Sequence, residues 1–245
     1  MAEQTRHSNG DGETNRLLSL LPMRDYRRLA RHAERVSLLL KDHLVEPEKP
    51  IDHVYFVQQG AIVSLVMTMS DGASVEVGTV GNEGMVGMGV YLEAIHVHHR
   101  AFTQVAGVAT RIPADLFKQE MNRSEELRTV VHRYAGALMI QIMQGSACNR
   151  LHSAEARCAR WLLMTMDRVG HDTFPMTQEF LAQMLGVRRA SVAVVAGMLQ
   201  QAGIIRYMRG KLTVLDRERL EAVSCECYNI IRNEMDRLTN GQREQ

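Results

Sequence analysis

The chain contains no long apolar runs, and its first residues do not have the pattern of an export signal. Its apolar stretches are far shorter than the roughly 20 residues that a membrane-spanning helix needs. The first residues, MAEQTRHSNGDGETNR, are polar and contain no apolar segment of the kind found in signal peptides. These two absences argue against a membrane protein and an exported protein, so we expect a cytoplasmic protein with no membrane partner.

Cysteine is also scarce, and none precedes Cys148. Cys148, Cys158, Cys225 and Cys227 fall in segments with helical patterns and not in a spaced framework of loops, which indicates reduced thiols. Cys225 and Cys227 resemble a chelating pair. Two positions on a helix differ by roughly 200° around its axis, however, so these thiols would diverge. We therefore predict that the cysteines share no metal ion.

The motifs of common catalytic sites are missing as well. The chain has neither a G-x-S-x-G nucleophile turn nor an H-E-x-x-H zinc helix. The glycine-rich segment GTVGNEGMVGMG lacks the spacing of phosphate-binding loops, so its glycines predict turns. With 45% apolar and 23% charged residues, the composition is typical of a globular protein. We predict that it is not an enzyme.

The net charge is only +1, but the charge is unevenly distributed. Between Thr177 and Leu215, five basic residues are accompanied by one acidic residue, Glu179, which gives a local charge of +4. A basic patch of this kind contacts the phosphates of nucleic acids. The basic residues are Arg188, Arg189, Arg206, Arg209 and Lys211.

The N-terminal half has the pattern of a β-rich domain. The segments His53–Gly60, Ala61–Met69 and Ala73–Val80 are rich in β-branched residues and partly alternate, and the Asp-Gly pair at 71–72 predicts a hairpin. A further strand pair fits residues 101–113. We predict an α+β fold with an N-terminal antiparallel β-roll of jelly-roll type as effector domain, a long dimerisation helix and a C-terminal winged helix-turn-helix domain.

A long helix is predicted over residues 124–150, between the β-roll and the C-terminal domain. Ser124 is a favourable N-cap, followed by acidic residues in the first turn. The apolar seam after it can pack on the roll or pair with its copy in a second chain as a coiled coil. The seam comprises Leu127, Val131, Tyr134, Leu138 and Ile142. The predicted segments are a disordered terminus (1–15), the β-roll sensor (16–123), the dimerisation helix (124–150) and the DNA-binding domain with a C-terminal helix (151–245).

Two short helices around Gly186 form the candidate helix-turn-helix. Thr177 is the N-cap of the first helix, and the second begins near Arg188 with an apolar stripe, Val192, Val195, Ala196 and Leu199, at core-facing spacing. After Gly203, the sequence IIRYMRGKLTVL alternates around Arg-Gly-Lys, which predicts a β-hairpin wing with a basic tip.

This unit predicts contacts with double-stranded DNA. The second helix presents its N-terminal turn to the major groove, where arginine can bind guanine or phosphate. Its outward face otherwise carries Ala190, Ala193, Val194 and Gly197, so we expect specificity to depend partly on DNA shape. The predicted DNA-binding residues are Thr177, Gln178, Arg188, Arg189, Ser191, Arg206, Arg209 and Lys211.

With these residues in place, the chain resembles the Crp/Fnr superfamily of bacterial transcription regulators from about Leu17 to Leu215. The segment TQEFLAQMLGVRRASVAVVAGMLQQAGIIRYMRGKLTVL resembles its winged helix, and VYFVQQGAIVSLV with GNEGMVGMGV resembles its cyclic-nucleotide-binding-type roll. The resemblance implies a homodimer joined through the long helix, which binds a two-fold related operator and contacts RNA polymerase.

The candidate effector pocket departs from that family. Its cyclic-AMP-responsive members carry Gly-Glu and Arg-Ser pairs, whereas Gly87 is followed here by Met88, and Arg100 by Ala101. These changes argue against a cyclic nucleotide and leave the effector unknown. The oxygen-sensing branch needs N-terminal cysteines, which this chain lacks, so the resemblance excludes an iron–sulfur cluster. We expect no cofactor.

Two segments leave alternatives open. His96, His98 and His99 fit a polar loop at the rim of the roll, although such a trio can also bind zinc or nickel. The amphipathic segment Leu220–Leu238 is typical of a helix packed on its own domain, or else contacts a partner chain or polymerase. The alternative function is a small-molecule or metal-sensing module whose helix-turn-helix serves protein interaction.

Overall fold

The computed structural model describes residues 15–94 and 96–240, with the side chains of residues 239 and 240 left aside. The predicted disorder of residues 1–15 therefore lies outside the described residues, apart from Asn15. Asn15 is buried, and its side-chain amide donates to the carbonyl oxygens of Val57 and Gly84, both at 2.8 Å. These bonds hold the start of the described chain against the roll.

The N-terminal domain is a roll of two antiparallel four-stranded sheets, ordered β1-β8-β3-β6 and β2-β7-β4-β5. The predicted fold class and strands are confirmed. The elements are α1 (Met23–Ala30), β1 (Glu34–Leu38), β2 (His43–Val45), β3 (His53–Val57), β4 (Ile62–Thr68), β5 (Ser74–Val80), β6 (Met85–Val86), α2 (Met88–Tyr91), β7 (His99–Val105), β8 (Gly107–Pro113) and α3 (Ala114–Arg123).

Strand β4 shows how alternation gives the roll two apolar faces. The predicted β4–β5 hairpin is present, with Gly72 at φ +85°, a conformation that glycine adopts without strain. Val63 and Leu65 point into the core of the roll. Ile62 and Val66 lie on the opposite face and belong to a second core, which lies in the C-terminal half of the chain.

The long helix α4 (Glu125–Leu151) crosses from the roll to the C-terminal domain. The Ser124 hydroxyl accepts a hydrogen bond from the Leu127 amide at 3.0 Å, so the predicted N-cap is confirmed. Tyr134 is fully buried and its hydroxyl donates to the Met85 carbonyl oxygen at 3.1 Å. A side chain at Gly84 would collide with the Tyr134 ring, which is why glycine is needed there.

The apolar seam predicted on α4 faces the chain's own core. Leu127, Val131, Tyr134 and Leu138 are 0–7% exposed and pack on the roll, while Ile142 at the edge of this face is 37% exposed. The assignment of the first four residues to a subunit seam is therefore wrong. The alternative, packing on the roll, accounts for them, because burial in one's own core and burial in a coiled coil require the same helical spacing.

The C-terminal domain combines helices with a three-stranded sheet of order β10-β11-β9. Helix α5 is capped by Ser153 and ends at Gly170, which has φ +80°. Its buried face forms the centre of the domain core. The elements are α5 (Ala154–Val169), β9 (Thr173–Pro175), α6 (Gln178–Leu185), α7 (Arg189–Gln201), β10 (Ile205–Met208), β11 (Lys211–Val214), α8 (Arg217–Val223) and α9 (Cys227–Asn240).

The two domains share apolar packing. Ile62 and Val66 of β4 and Val105 of β7 join the core that contains Trp161 and Leu162 of α5. The C-terminal domain thus packs on the outer face of the roll. Among residues 15–94 and 96–240, no single helix is long and apolar enough to cross a membrane.

The C-terminal segment forms two helices, with a break at residues 224–226. Tyr228 and Ile231 of α9 pack into the core of the C-terminal domain, and Met235 and Leu238 reach the core formed by the roll and α4. Packing on its own domain, the first of the predicted alternatives, describes only the first part of α9. The helix also ties this domain to the long helix.

Candidate DNA-binding surface, sensor roll and cysteine cluster

Helices α6 and α7 form a helix-turn-helix with an angle of 111° between their axes. The Thr177 hydroxyl accepts a hydrogen bond from the Phe180 amide at 3.1 Å and starts α6, and Gly186 ends it at φ +61°. Arg188 is the N-cap residue of α7 and has extended backbone angles. The turn is therefore built by local capping, as the sequence indicates.

Helix α7 separates an apolar face from an exposed one. Val192, Val195, Ala196 and Leu199 are 1–7% exposed, which confirms the predicted core stripe. Ala190, Ser191 and Val194 on the opposite side are exposed, and the first turn contains no acidic residue. An uncovered N-terminal turn with a free dipole end is suited to a negatively charged ligand.

The wing is a hairpin with a two-residue turn. Met208 pairs with Lys211, so Arg209 and Gly210 form the turn, and both have positive φ angles of +49° and +76°. This is the type I′ geometry that matches the twist of the strands. Tyr207 anchors the hairpin, since its hydroxyl donates to the Met176 carbonyl oxygen at 2.5 Å. The basic tip is thereby held in the solvent.

The eight predicted DNA-binding residues lie in α6, α7, the wing and the turns beside them. Seven are exposed and Gln178 is half-buried. The Arg189 guanidinium is 3.9 Å from the Glu179 carboxylate, with both side chains largely exposed, so the pair is weak in water and can be exchanged for a phosphate or base.

The four residues predicted for an effector pocket have different environments. Gly87 has φ +98° and precedes α2, whose first residue, Met88, is buried. Ala101 points into the roll core, whereas Arg100 lies on the opposite face of β7 and donates to the Glu46 carboxylate at 3.1 Å. Hydrogen bonds lower the pKa of Glu46, and the bond from His43 has a larger effect than the bond from Arg100. The Arg100 charge is therefore already paired.

A buried polar network joins the roll, α4 and α5. The Arg168 guanidinium is 2.8 Å from the Glu83 carboxylate and donates to the Gln141 side chain at 3.1 Å. The Gln141 amide group in turn donates to the Thr79 carbonyl oxygen at 3.0 Å. All four residues are at most 7% exposed. Sequence reasoning missed this network, because its partners lie far apart in the chain and no local pattern marks them.

Glu76 forms a second link between the domains. Its carboxylate accepts hydrogen bonds from Ser64 at 2.7 Å, Thr79 at 2.9 Å and the Trp161 indole at 2.8 Å. Desolvation raises the pKa of Glu76, although these three donors oppose the rise. A titratable group thus sits between β5 and α5.

Three cysteines and a histidine converge where the end of α4 meets the start of α9. The thiol and imidazole atoms of Cys148, His152, Cys225 and Cys227 all lie within 4.8 Å of one another. Cys225 belongs to the break before α9, so the helical angle that was expected to separate it from Cys227 does not apply. The prediction that these cysteines share no metal is contradicted by this arrangement.

The prediction that the chain binds no cofactor, and in particular no iron–sulfur cluster, is contradicted by the same residues. The exclusion of an iron–sulfur cluster rested on the absence of cysteines before Cys148, yet a set of metal-binding residues forms from Cys148 onward. The expectation of no cofactor is therefore wrong as a conclusion from the sequence. His98 instead contacts Glu48 at 2.7 Å, and within the described part of the chain the histidines 96, 98 and 99 form no cluster of three or more metal-binding groups.

Burial lowers the acidity of the Cys148 and Cys225 thiols. Desolvation raises the pKa of Cys148 to about 12 and also raises that of Cys225. Cys158 lies outside the cluster and is buried in the core, where desolvation raises its pKa to about 12 as well. Thiols of this kind are weak nucleophiles without a metal or another strong activating group.

The fold defines a class of protein in which a β-roll domain is joined to a winged helix-turn-helix domain. Two family models match the chain: the cyclic nucleotide-binding domain over residues 35–124 and the Crp-like helix-turn-helix domain over residues 156–223. Together they cover more than half of the chain. It belongs to the Crp/Fnr family of transcription regulators, which is not an enzyme family.

Solved structures show the same fold. A putative regulator of the Crp/Fnr family from Eubacterium rectale has a TM-score of 0.67 at 18% identity, with 83% of this chain and 94% of that chain covered. FixK2 from Bradyrhizobium japonicum has a TM-score of 0.67 at 17% identity, covering 79% and 98%. A CRP family regulator from Thermus thermophilus has a TM-score of 0.64 at 20% identity, covering 78% and 96%. No curated protein matches the chain significantly.

Proposed function

We propose that this Crp/Fnr regulator is a homodimer that binds a two-fold related site in double-stranded DNA. Helix α7 enters the major groove, the wing contacts the backbone, and the roll responds to an effector. The observation that carries the proposal is the exposed, basic N-terminal turn of α7 beside the basic wing. RNA polymerase is the protein partner expected of such a regulator.

The roles within this surface follow from side-chain chemistry. Arg189 is at the first position of α7 and is 69% exposed, so it is suited to read a guanine edge. Arg209 and Lys211 at the wing are suited to phosphate. Ala190 and Val194 offer methyl groups to thymine, and DNA shape supplies the remaining specificity.

A second apolar stripe on α4 supports the dimer. Gly136, Met139, Met143 and Ala147 recur at helical steps and are all exposed, on the side opposite the core. Met139 and Met143 are 60% and 56% exposed, and a methyl group added at Gly136 would meet nothing within 4 Å. This is the face that we assign to the partner helix, in place of the buried seam.

The decisive experiment selects bound sequences from random double-stranded DNA with the full chain, with and without small molecules from cell extract. We expect a two-fold symmetric consensus. Arg189→Ala should reduce discrimination between consensus and random DNA by about 1–3 kcal/mol, because one base contact is lost. Arg209→Ala should weaken binding to all sequences and reduce the salt slope by about one unit.

The matched control is Lys118→Ala, which removes an exposed charge from α3 of the roll. It should leave affinity and salt slope unchanged. Failure to enrich any sequence, or equal loss of affinity in the control, would contradict DNA binding through α7 and the wing. It would favour a helix-turn-helix that contacts proteins.

A further inference from the structure

The cysteine cluster brings together four potential metal ligands from two distant segments. Cys148 and His152 are four residues apart at the end of α4, a spacing that places both on one side of a helix. Cys225 lies in the break before α9, and Cys227 is the first residue of that helix. The long helix and the end of the DNA-binding domain therefore each supply two ligands.

Two of the ligand separations match those of a single tetrahedral ion. The Sγ atoms of Cys148 and Cys225 are 3.5 Å apart, as are the Cys227 Sγ and the His152 Nδ1. Zinc–sulfur bonds of about 2.3 Å and zinc–nitrogen bonds of about 2.0–2.1 Å imply tetrahedral ligand separations of roughly 3.5–3.8 Å. A cluster of several iron atoms would divide the four ligands among different metals and hold some of them further apart than 4.8 Å, the distance within which all four lie here.

The neighbours of the ligands orient them. His152 directs Nδ1 to Cys227, while its Nε2 is 3.3 Å from the Glu226 carboxylate. A carboxylate on the second ring nitrogen fixes the ring and its tautomer in metal sites. The Gln144 amide donates to the Cys227 sulfur at 3.1 Å, a contact that a thiolate would strengthen.

The local charge also fits. One Zn²⁺ with three thiolates and a neutral imidazole carries a net charge of −1. Arg157 and Arg160 are buried, both interact electrostatically with Cys148, and each has a buried Nε without a hydrogen-bond partner. Across the described residues neither forms an ion pair within 4 Å, although Arg160 also interacts with Glu76. A negatively charged metal centre would compensate these cations.

The geometry points to a structural Zn²⁺ site formed by Cys148, His152, Cys225 and Cys227. Four protein ligands leave no open coordination position, so the ion has a structural and not a catalytic role. It would fasten α9 to the end of α4 and so fix how the DNA-binding domain is held on the long helix. The site is separate from the DNA-binding surface and from the roll.

The test begins with the metal content of the purified full chain. We expect about one zinc ion per chain, as in other closed four-ligand sites. Replacement by Co²⁺ should give the visible absorption of a tetrahedral thiolate complex. A strong chelator should lower the thermal midpoint, and added Zn²⁺ should restore it.

Cys148→Ala and Cys227→Ala should lose the zinc and the response of the thermal midpoint to chelator. The matched control is Cys158→Ala, which removes a buried thiol outside the cluster and should retain both. Chelation and reloading of the unaltered chain test the site even where an alanine variant fails to fold. The proposal is overturned by absence of zinc both before and after reloading, by zinc retained in Cys148→Ala, by iron with labile sulfide, or by a Cys148–Cys225 disulfide in its place.

Discussion

At the scale of single residues, Arg168 and Glu83 form a buried ion pair between the domains. Its two charges are 7% and 5% exposed, and Gly81 donates its amide to the same carboxylate at 3.2 Å. A charge buried this deeply depends on its partner, since removal of one member leaves the other without water or counterion.

Arg168→Met should therefore lower the free energy of unfolding by about 3–5 kcal/mol, because the Glu83 carboxylate remains buried without a counterion. Chemical denaturation monitored by circular dichroism measures this. Replacing both residues, by Arg168→Met with Glu83→Leu, should recover much of the loss. The exposed Arg31→Met serves as control and should change stability by less than about 0.5 kcal/mol. Equal stability of the single and double variants would argue against the pair as the cause.

At the scale of elements, α4 has a buried apolar face and an exposed apolar stripe. The core face contacts the chain's own roll, and the exposed stripe of Gly136, Met139, Met143 and Ala147 is assigned to a second copy. A charge in the middle of such a stripe would have to be desolvated in the dimer.

Met143→Glu should accordingly convert a dimer to a monomer at micromolar concentration, measured by sedimentation equilibrium against the chain mass of 27.6 kDa. Met69→Glu is the matched control, because Met69 is similarly exposed, at 52%, but lies beside the β4–β5 hairpin. A dimer that persists in Met143→Glu, or a monomer in both variants, would mean that this stripe is not the interface.

The elements also show where sequence reasoning succeeds and where it fails. The Ser124 cap, the turn at Gly72 and the stripe of α7 are local patterns, and each was predicted correctly. The seam of α4 was misassigned because spacing reports burial but does not identify the partner. The cysteine cluster was missed because one helix was assumed where the chain breaks at Cys225, and because the two halves of the cluster lie 77 residues apart.

At the scale of the whole molecule, the raised pKa of Glu76, which lies between the roll and the C-terminal domain, links the stability of the fold to pH. Its pKa is raised in the folded chain, so its protonated form is favoured by folding. This contribution to stability is fully present below the ordinary pKa of glutamate and is lost as pH rises through the raised value.

Glu76→Gln should remove this dependence. The free energy of unfolding of the variant, relative to the unaltered chain, should increase from pH 4 towards pH 7, as measured by denaturation at several pH values. Glu34→Gln, at an exposed position of β1, is the control and should not show this trend. A difference that is constant with pH would contradict a raised pKa at Glu76.

The packing of Ile62, Val66 and Val105 against α5 has a consequence for any use of the parts. A fragment that begins at Ser153 would expose the apolar surface of α5 that the roll covers. An isolated roll would expose the apolar residues of β4 and β7 that pack on α5. We therefore expect that the C-terminal domain does not fold stably without the roll. If the roll is replaced by another in a chimaera, the new roll must carry the apolar residues of β4 and β7 that contact α5. Otherwise the facing side of α5 must be redesigned.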